Sequence, residues 1–193
     1  MKEEILGRLE RKNGKELVTK YVTKLKQQNL DYVEFLEILA TRESSGDYSA
    51  HNKGSEFLGR YQIGSSTFEQ IGFKDSNGRW TDLAKSLGVT SEETYLKSEI
   101  AQEVAVLFAL RWDYQYLISN GDQKYIGTTV DGVVLTESGL IAGMHLVGNG
   151  DMHKVLNGDR SWEKTKDGNE TPALKYVEEM GNLDMSGVLG GIQ

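Results

Sequence analysis

The chain of 193 residues has no cysteine, one proline and three histidines. Without cysteine there is no disulfide framework, no thiolate nucleophile and no thiolate zinc site. That argues against a disulfide-stapled secreted protein and leaves the compartment open. His51, His145 and His153 make no close ligand pattern, so no metal is expected. No run of about 18 apolar residues occurs, so no transmembrane segment is expected. The opening MKEEILGRLERK lacks the apolar stretch of a signal peptide. Action outside the cytoplasm would therefore need another export route or a signal already removed. Gly-x-Gly-x-x-Gly and Walker phosphate loops are missing, as is a Gly-x-Ser-x-Gly nucleophile elbow. No cofactor is expected.

What is present suits a folded protein. Apolar residues make up 38% and charged residues 26%, which fits one globular domain rather than a disordered chain. The net charge of -7 is unevenly spread. Residues 1–28 hold eight Lys/Arg against four Glu, a balance of +4; the remainder holds 14 basic and 25 acidic side chains, a balance of -11. An acidic body is a poor match for phosphate backbones, so nucleic acid is not expected as a partner. The basic segment either meets an anionic surface or is a solvated helix face.

Ile5, Leu6 and Leu9, then Leu17, Val18, Tyr21, Val22 and Leu25, fall at helical spacing around a break at Asn13-Gly14. One or two amphipathic helices docked on the body are predicted. Asp31, with Glu34 in the capping-box position, predicts a second start; the helix that follows is apolar on most sides and ends at Arg42-Glu43. Residues 54–64 predict a short hairpin or irregular β lobe, and Ser66 to Glu69 a capped short helix. A long core helix is predicted from near Ser91 to Asn120-Gly121. Asp131-Gly132 marks a type I′ hairpin. Thr136 caps a helix to Val147, Gly148 breaks it, and Pro172 falls in the first turn of another helix. The predicted organisation is a basic helical segment over 1–28, packed on or appended to the core, a main domain over 29–183, and a flexible glycine-rich tail over 184–193. The class is α+β, mostly α.

A general acid must be a carboxyl group held protonated and aimed at a substrate. Glu43 ends a buried helix, where the macrodipole disfavours a carboxylate, and small residues follow it. The plain alternative is a solvated glutamate or one paired with Arg42. Asp47 and Glu56 are candidates for a second carboxylate holding a water; each is equally readable as a loop residue. Tyr48, Tyr61 and Trp80 lie in glycine-rich loops, placed either to stack on sugar rings or to pack the lobe.

Glu43-Ser-Ser-Gly-Asp-Tyr, followed by Gly59-Arg-Tyr-Gln-Ile, resembles the signature of the lysozyme-like, soluble lytic transglycosylase superfamily. The closest likeness is to domains of phage endolysins, tail proteins and secreted bacterial effectors. NGRW (77–80), VVLTESGLIAGMHLVGNG (133–150) and DGNETPALKY (167–176) follow in the family's order, so the resemblance covers about residues 31 to 180. It implies a lysozyme-like fold, with a small β lobe after the catalytic helix and an additional β-hairpin. It implies Glu43 as acid/base and Ser44 as its substrate- or water-contacting neighbour. Tyr61 and Gln62 would line the glycan groove with Tyr48, and His145, Asn149 and Tyr176 would complete the substrate contacts. Three departures stand out: Met144-His145 stands where another branch has Ala-Tyr-Asn-Ala-Gly, Asn149 occupies a position of small residues, and Glu170 replaces the Gly of a Gly-Thr pair.

The expected activity is cleavage of the β-1,4 bond between N-acetylmuramic acid and N-acetylglucosamine in peptidoglycan glycan strands, in the cell wall or periplasm. A lytic transglycosylase, yielding a 1,6-anhydro product, is favoured because no second carboxylate stands out. The alternatives are a hydrolytic lysozyme using Asp47 or Glu56, the same chemistry on chitin, and a non-catalytic glycan-binding module of a phage tail or secretion apparatus. An immunity or inhibitor protein, or a secretion or tail component, would be a natural partner. A chain lacking residues 1–28 is expected to keep its activity.

Overall fold

The computed structural model describes residues 2–51, 54–167 and 170–189. The protein is mostly helical, with one two-stranded antiparallel sheet among the described residues. None of its described helices is long and apolar enough to cross a membrane. The chain divides into two compact units, one ending at Ala109 and the other running from Leu110 to Leu189.

The first unit opens with α1 (Lys2–Leu9) and α2 (Gly14–Gln28), separated at Asn13. Both are amphipathic, and their apolar faces are buried: Ile5 and Val18 are inaccessible and Val22 nearly so. The helix α3 (Leu30–Ser44) starts one residue before Asp31, with Asn29 at its N-cap, whose side chain makes no cap; the predicted capping box is not used. Its Tyr32, Phe35, Leu36 and Leu39 lie in the core.

After α3, where a short hairpin or irregular β lobe was expected over 54–64, the described chain forms turns with a single antiparallel bridge, Leu58 to Ile63; a second bridge, Lys74 to Trp80, follows outside that stretch. Between them lies α4 (Ser65–Gln70), entered from Gly64 with no side-chain cap. Then follow α5 (Asp82–Ser86) and α6 (Glu92–Leu96). Phe68, Trp80 and Tyr95 make a cluster: Phe68 and Tyr95 meet edge-on at 4.9 Å, and Trp80 stacks on Tyr95 at 5.9 Å. The Lys74 ammonium lies 4.7 Å from the Trp80 ring centre. Trp80 is thus half-buried packing of this unit.

The predicted long helix is two. α6 starts at the expected place and carries a Ser91 capping box, with Thr94 as its partner. The chain then breaks at Lys97-Ser98 and restarts as α7 (Glu99–Ser119). Ser98 makes the restart: its carbonyl takes the Gln102 amide, and its hydroxyl reaches the Leu87 carbonyl at 3.4 Å.

In the second unit, β1 (Thr129–Val130) pairs with β2 (Val133–Val134) about Asp131 (φ 50°) and Gly132 (φ 85°), both left-handed as the type I′ turn requires. Thr136 caps α8 (Glu137–Val147), accepting from the Gly139 amide. Gly148 ends it and α9 (Asn149–Leu156) follows. Pro172 stands at the N-cap of α10 (Ala173–Glu179), one residue before the first turn. A Cβ on Gly139 would come within 2.5 Å of the Val177 carbonyl, so glycine sets the close approach of α8 to α10. The expected loose tail is ordered as far as α11 (Ser186–Leu189): Met185, Val188 and Leu189 are buried, and Arg111 donates to the Val188 carbonyl at 2.9 Å. Residues 190–193 lie outside the described part.

Candidate functional site

Glu43 is the next-to-last residue of α3 and is half-buried. The helix ends in a left-handed turn at Ser45 (φ 57°) and Gly46 (φ 82°). This turn directs the chain into the loop that leads to the Gly-Arg-Tyr-Gln segment. Ser44 ties the two together, donating to the Arg60 carbonyl at 2.8 Å as well as to Ala40 within its own helix. Arg60 returns the link through Gly46, at 2.9 Å, and through Glu37, at 2.6 Å. The helix end that carries Glu43 is therefore stapled on both sides.

Gln102 holds that segment from beneath. Its amide is fully buried; Oε1 accepts from the Arg60 amide at 2.8 Å, and Nε2 donates to the Tyr48 carbonyl at 2.9 Å. Gly59 (φ 74°) lies so close that a Cβ there would stand 2.2 Å from Gln102 Oε1. The next residue of α7, Glu103, is equally central. Its Oε1 accepts from the Tyr48 hydroxyl at 2.6 Å and the Tyr61 hydroxyl at 2.7 Å, and its Oε2 pairs with the Lys26 ammonium at 2.5 Å. Burial, reinforced by Glu103, raises both phenols well above their ordinary range and keeps them donors.

These bonds revise the expected roles. Tyr61 is buried, with its hydroxyl committed to Glu103, so its ring supports the loop rather than presenting a sugar platform. Tyr48 is half-buried and likewise anchored. Gln62 adopts a left-handed conformation (φ 45°) and donates to the Gly59 carbonyl at 2.8 Å, closing the turn. Asp47 is exposed; the Ser49 hydroxyl and amide, each 2.7 Å away, hold its carboxyl below the usual range. Glu56 is exposed.

The second unit has its own polar centre. His145, in the last turn of α8, and Asn149, opening α9, both act on Asp113 of α7. Burial pushes the Asp113 carboxyl up to about 7, while the His145 charge and the Asn149 hydrogen bond pull it the other way. Tyr176 is buried in α10. Nearby, Asp122 is inaccessible and accepts from His153 at 2.7 Å and from Asn157 at 3.2 Å, pinning α9 to the turn at Asp122–Tyr125.

Gln102, Glu103, Lys26 and Asp113 were not singled out from the sequence. For Gln102, Glu103 and Asp113 the signal was present as polar residues interrupting the apolar helical runs Ala101–Leu110 and Leu110–Leu117; Lys26, one of many lysines in α2, gave none. Compared with known proteins, the chain matches no protein-family model, no curated protein and no solved structure.

Proposed function

We propose that this chain is a peptidoglycan-cleaving muramidase acting on the MurNAc-β-1,4-GlcNAc bond, with Glu43 as general acid and base. The observation that carries this reading is the stapled helix end. Glu43 sits half-buried one residue before α3 stops, and Ser44 and Arg60 lock that terminus to the Gly-Arg-Tyr-Gln turn. A carboxyl group carried on a helix end fixed in this way has little backbone freedom left to lose when it meets a glycosidic oxygen.

Glu43 protonates the glycosidic oxygen as the muramyl C1 gains oxocarbenium character. The resulting carboxylate then takes the proton of the muramyl 6-hydroxyl, whose oxygen bonds to C1 and closes the 1,6-anhydro ring. Engagement of Asp47 with Ser49 favours this single-carboxylate route over one in which Asp47 holds a water. The protein would work in the cell wall or periplasm.

Mass spectrometry of the soluble products from purified peptidoglycan tests the reading. Muropeptides one water lighter at the muramyl end are expected, with Glu43→Gln slower by at least about a hundred-fold. Reducing-end products would instead make the protein a hydrolase and bring Glu56 forward. Equal biological effect of wild type and Glu43→Gln, with no products from either, would make it a glycan-binding module.

A further inference from the structure

A groove of about 490 Å³ lies between α2, Tyr48 and the start of α7. Lys15, Thr19, Val22 and Lys26 of α2 face it at steps of four, three and four residues, one side of the helix. Its charges differ in how they are satisfied. Lys26 pairs with Glu103, and Lys97 with Glu93 at 2.5 Å. Lys15 and Glu99 have no ion-pair partner among the described residues, and both line the groove. One uncommitted ammonium and one uncommitted carboxylate thus share a polar hollow with the hydroxyls of Thr23 and Ser98.

The pairing of signs decides the ligand. A phosphate or sulfate drawn by Lys15 would meet the Glu99 and Glu103 carboxylates. A simple cation drawn by Glu99 would meet three lysines. A zwitterion satisfies both groups at once.

We propose that this groove binds a short peptide that carries both a free carboxylate and a side-chain ammonium, the carboxylate on Lys15 and the ammonium on Glu99. Resting on the muramidase reading, the peptide is the stem carried by the muramyl sugar of the wall. The groove would then recognise glycan strands by the peptides attached to them.

The test is an NMR titration of isotope-labelled full-length Glu43→Gln protein with the sugar-free, N-acetylated tripeptide acetyl-L-Ala-γ-D-Glu-L-Lys, whose only amine is the lysyl side chain, as in the sugar-linked stem. Shift changes are expected to gather at residues 15–26 and 97–103, and affinity to fall about ten-fold in both Lys15→Met and Glu99→Gln. Both side chains are exposed, so neither change should threaten folding. Absent shifts, shifts elsewhere, or unchanged affinity in the two variants would overturn the proposal. So would inorganic phosphate binding the same residues as tightly as the peptide. The titration needs no bond cleavage: peptide binding by a protein that cuts no wall polymer sinks the muramidase reading alone, and cleavage without peptide binding sinks the groove alone.

Discussion

Two residues show how much the fold depends on single atoms. Gly59 has a left-handed backbone and no space for a Cβ against the buried Gln102 amide. Gly59→Ala is expected to destabilise by about 2 kcal/mol or more, through strain and displacement of Gln102; chemical denaturation would measure it, and a loss below about 0.5 kcal/mol would show that the loop yields freely. Asp113 gives a pH signature. Its carboxyl titrates at about 7 in the folded protein against an ordinary value of 3.8, so the native state holds the proton more tightly than the unfolded chain. Its contribution is therefore present in full below about pH 4 and is lost as pH rises towards 7, with a slope approaching about 1.4 kcal/mol per pH unit. Asp113→Asn should flatten the stability profile across that window, seen by thermal unfolding at several pH values. An unchanged slope would assign the pH dependence to other groups.

At the scale of elements, α2 contributes more than an apolar face. Its Lys26 is the cation that neutralises Glu103, a carboxylate only 7% exposed. Removing one partner of such a pair leaves a buried charge uncompensated, so Lys26→Met is expected to cost roughly 3 kcal/mol. The double variant Lys26→Met/Glu103→Gln should cost less than the two single changes added together; additivity in denaturation would show that the groups do not act as a pair. Deletion of residues 1–28 would remove this cation along with Ile5, Val18 and Val22, so such a chain is now expected to unfold rather than stay active. The element pattern was largely legible because apolar spacing marks helices and Asp131-Gly132 marks its own turn. The break at Ser98 was not, because helical spacing continues across it and the Ser98 hydroxyl finds its partner at Leu87. The loop over 54–64 took the irregular form rather than a regular hairpin for a similar reason. Its glycines and aromatics are arranged around Gln102, some 40 residues away in sequence, and only one bridge forms. Glu43 was legible from its place at a helix end, whereas Glu103 became visible only when two tyrosines and a lysine converged on it.

For the whole molecule, the charge distribution sets how it should approach the wall polymer that the muramidase proposal assigns to it. Residues 1–28 carry a balance of +4 and the remaining residues one of -11. Part of the positive charge is already spent: Arg8 pairs with Glu4, Lys20 with Glu16 and Lys26 with Glu103. Long-range attraction to an anionic wall is therefore weak, and the acidic body opposes it. Contacts within hydrogen-bond reach are less exposed to screening than charges held apart in solvent. Sedimentation of Glu43→Gln protein with purified wall sacculi should then change little as salt rises from about 0.1 M to about 1 M, although the screening length falls from about 10 to about 3 Å over that range. A steep loss of binding would mean that exposed cations of the N-terminal helices dominate the approach. Retention at high salt would place recognition on short-range contacts with sugar and peptide, where substitutions in the loop after Glu43 and in the α2–α7 groove would have their effect.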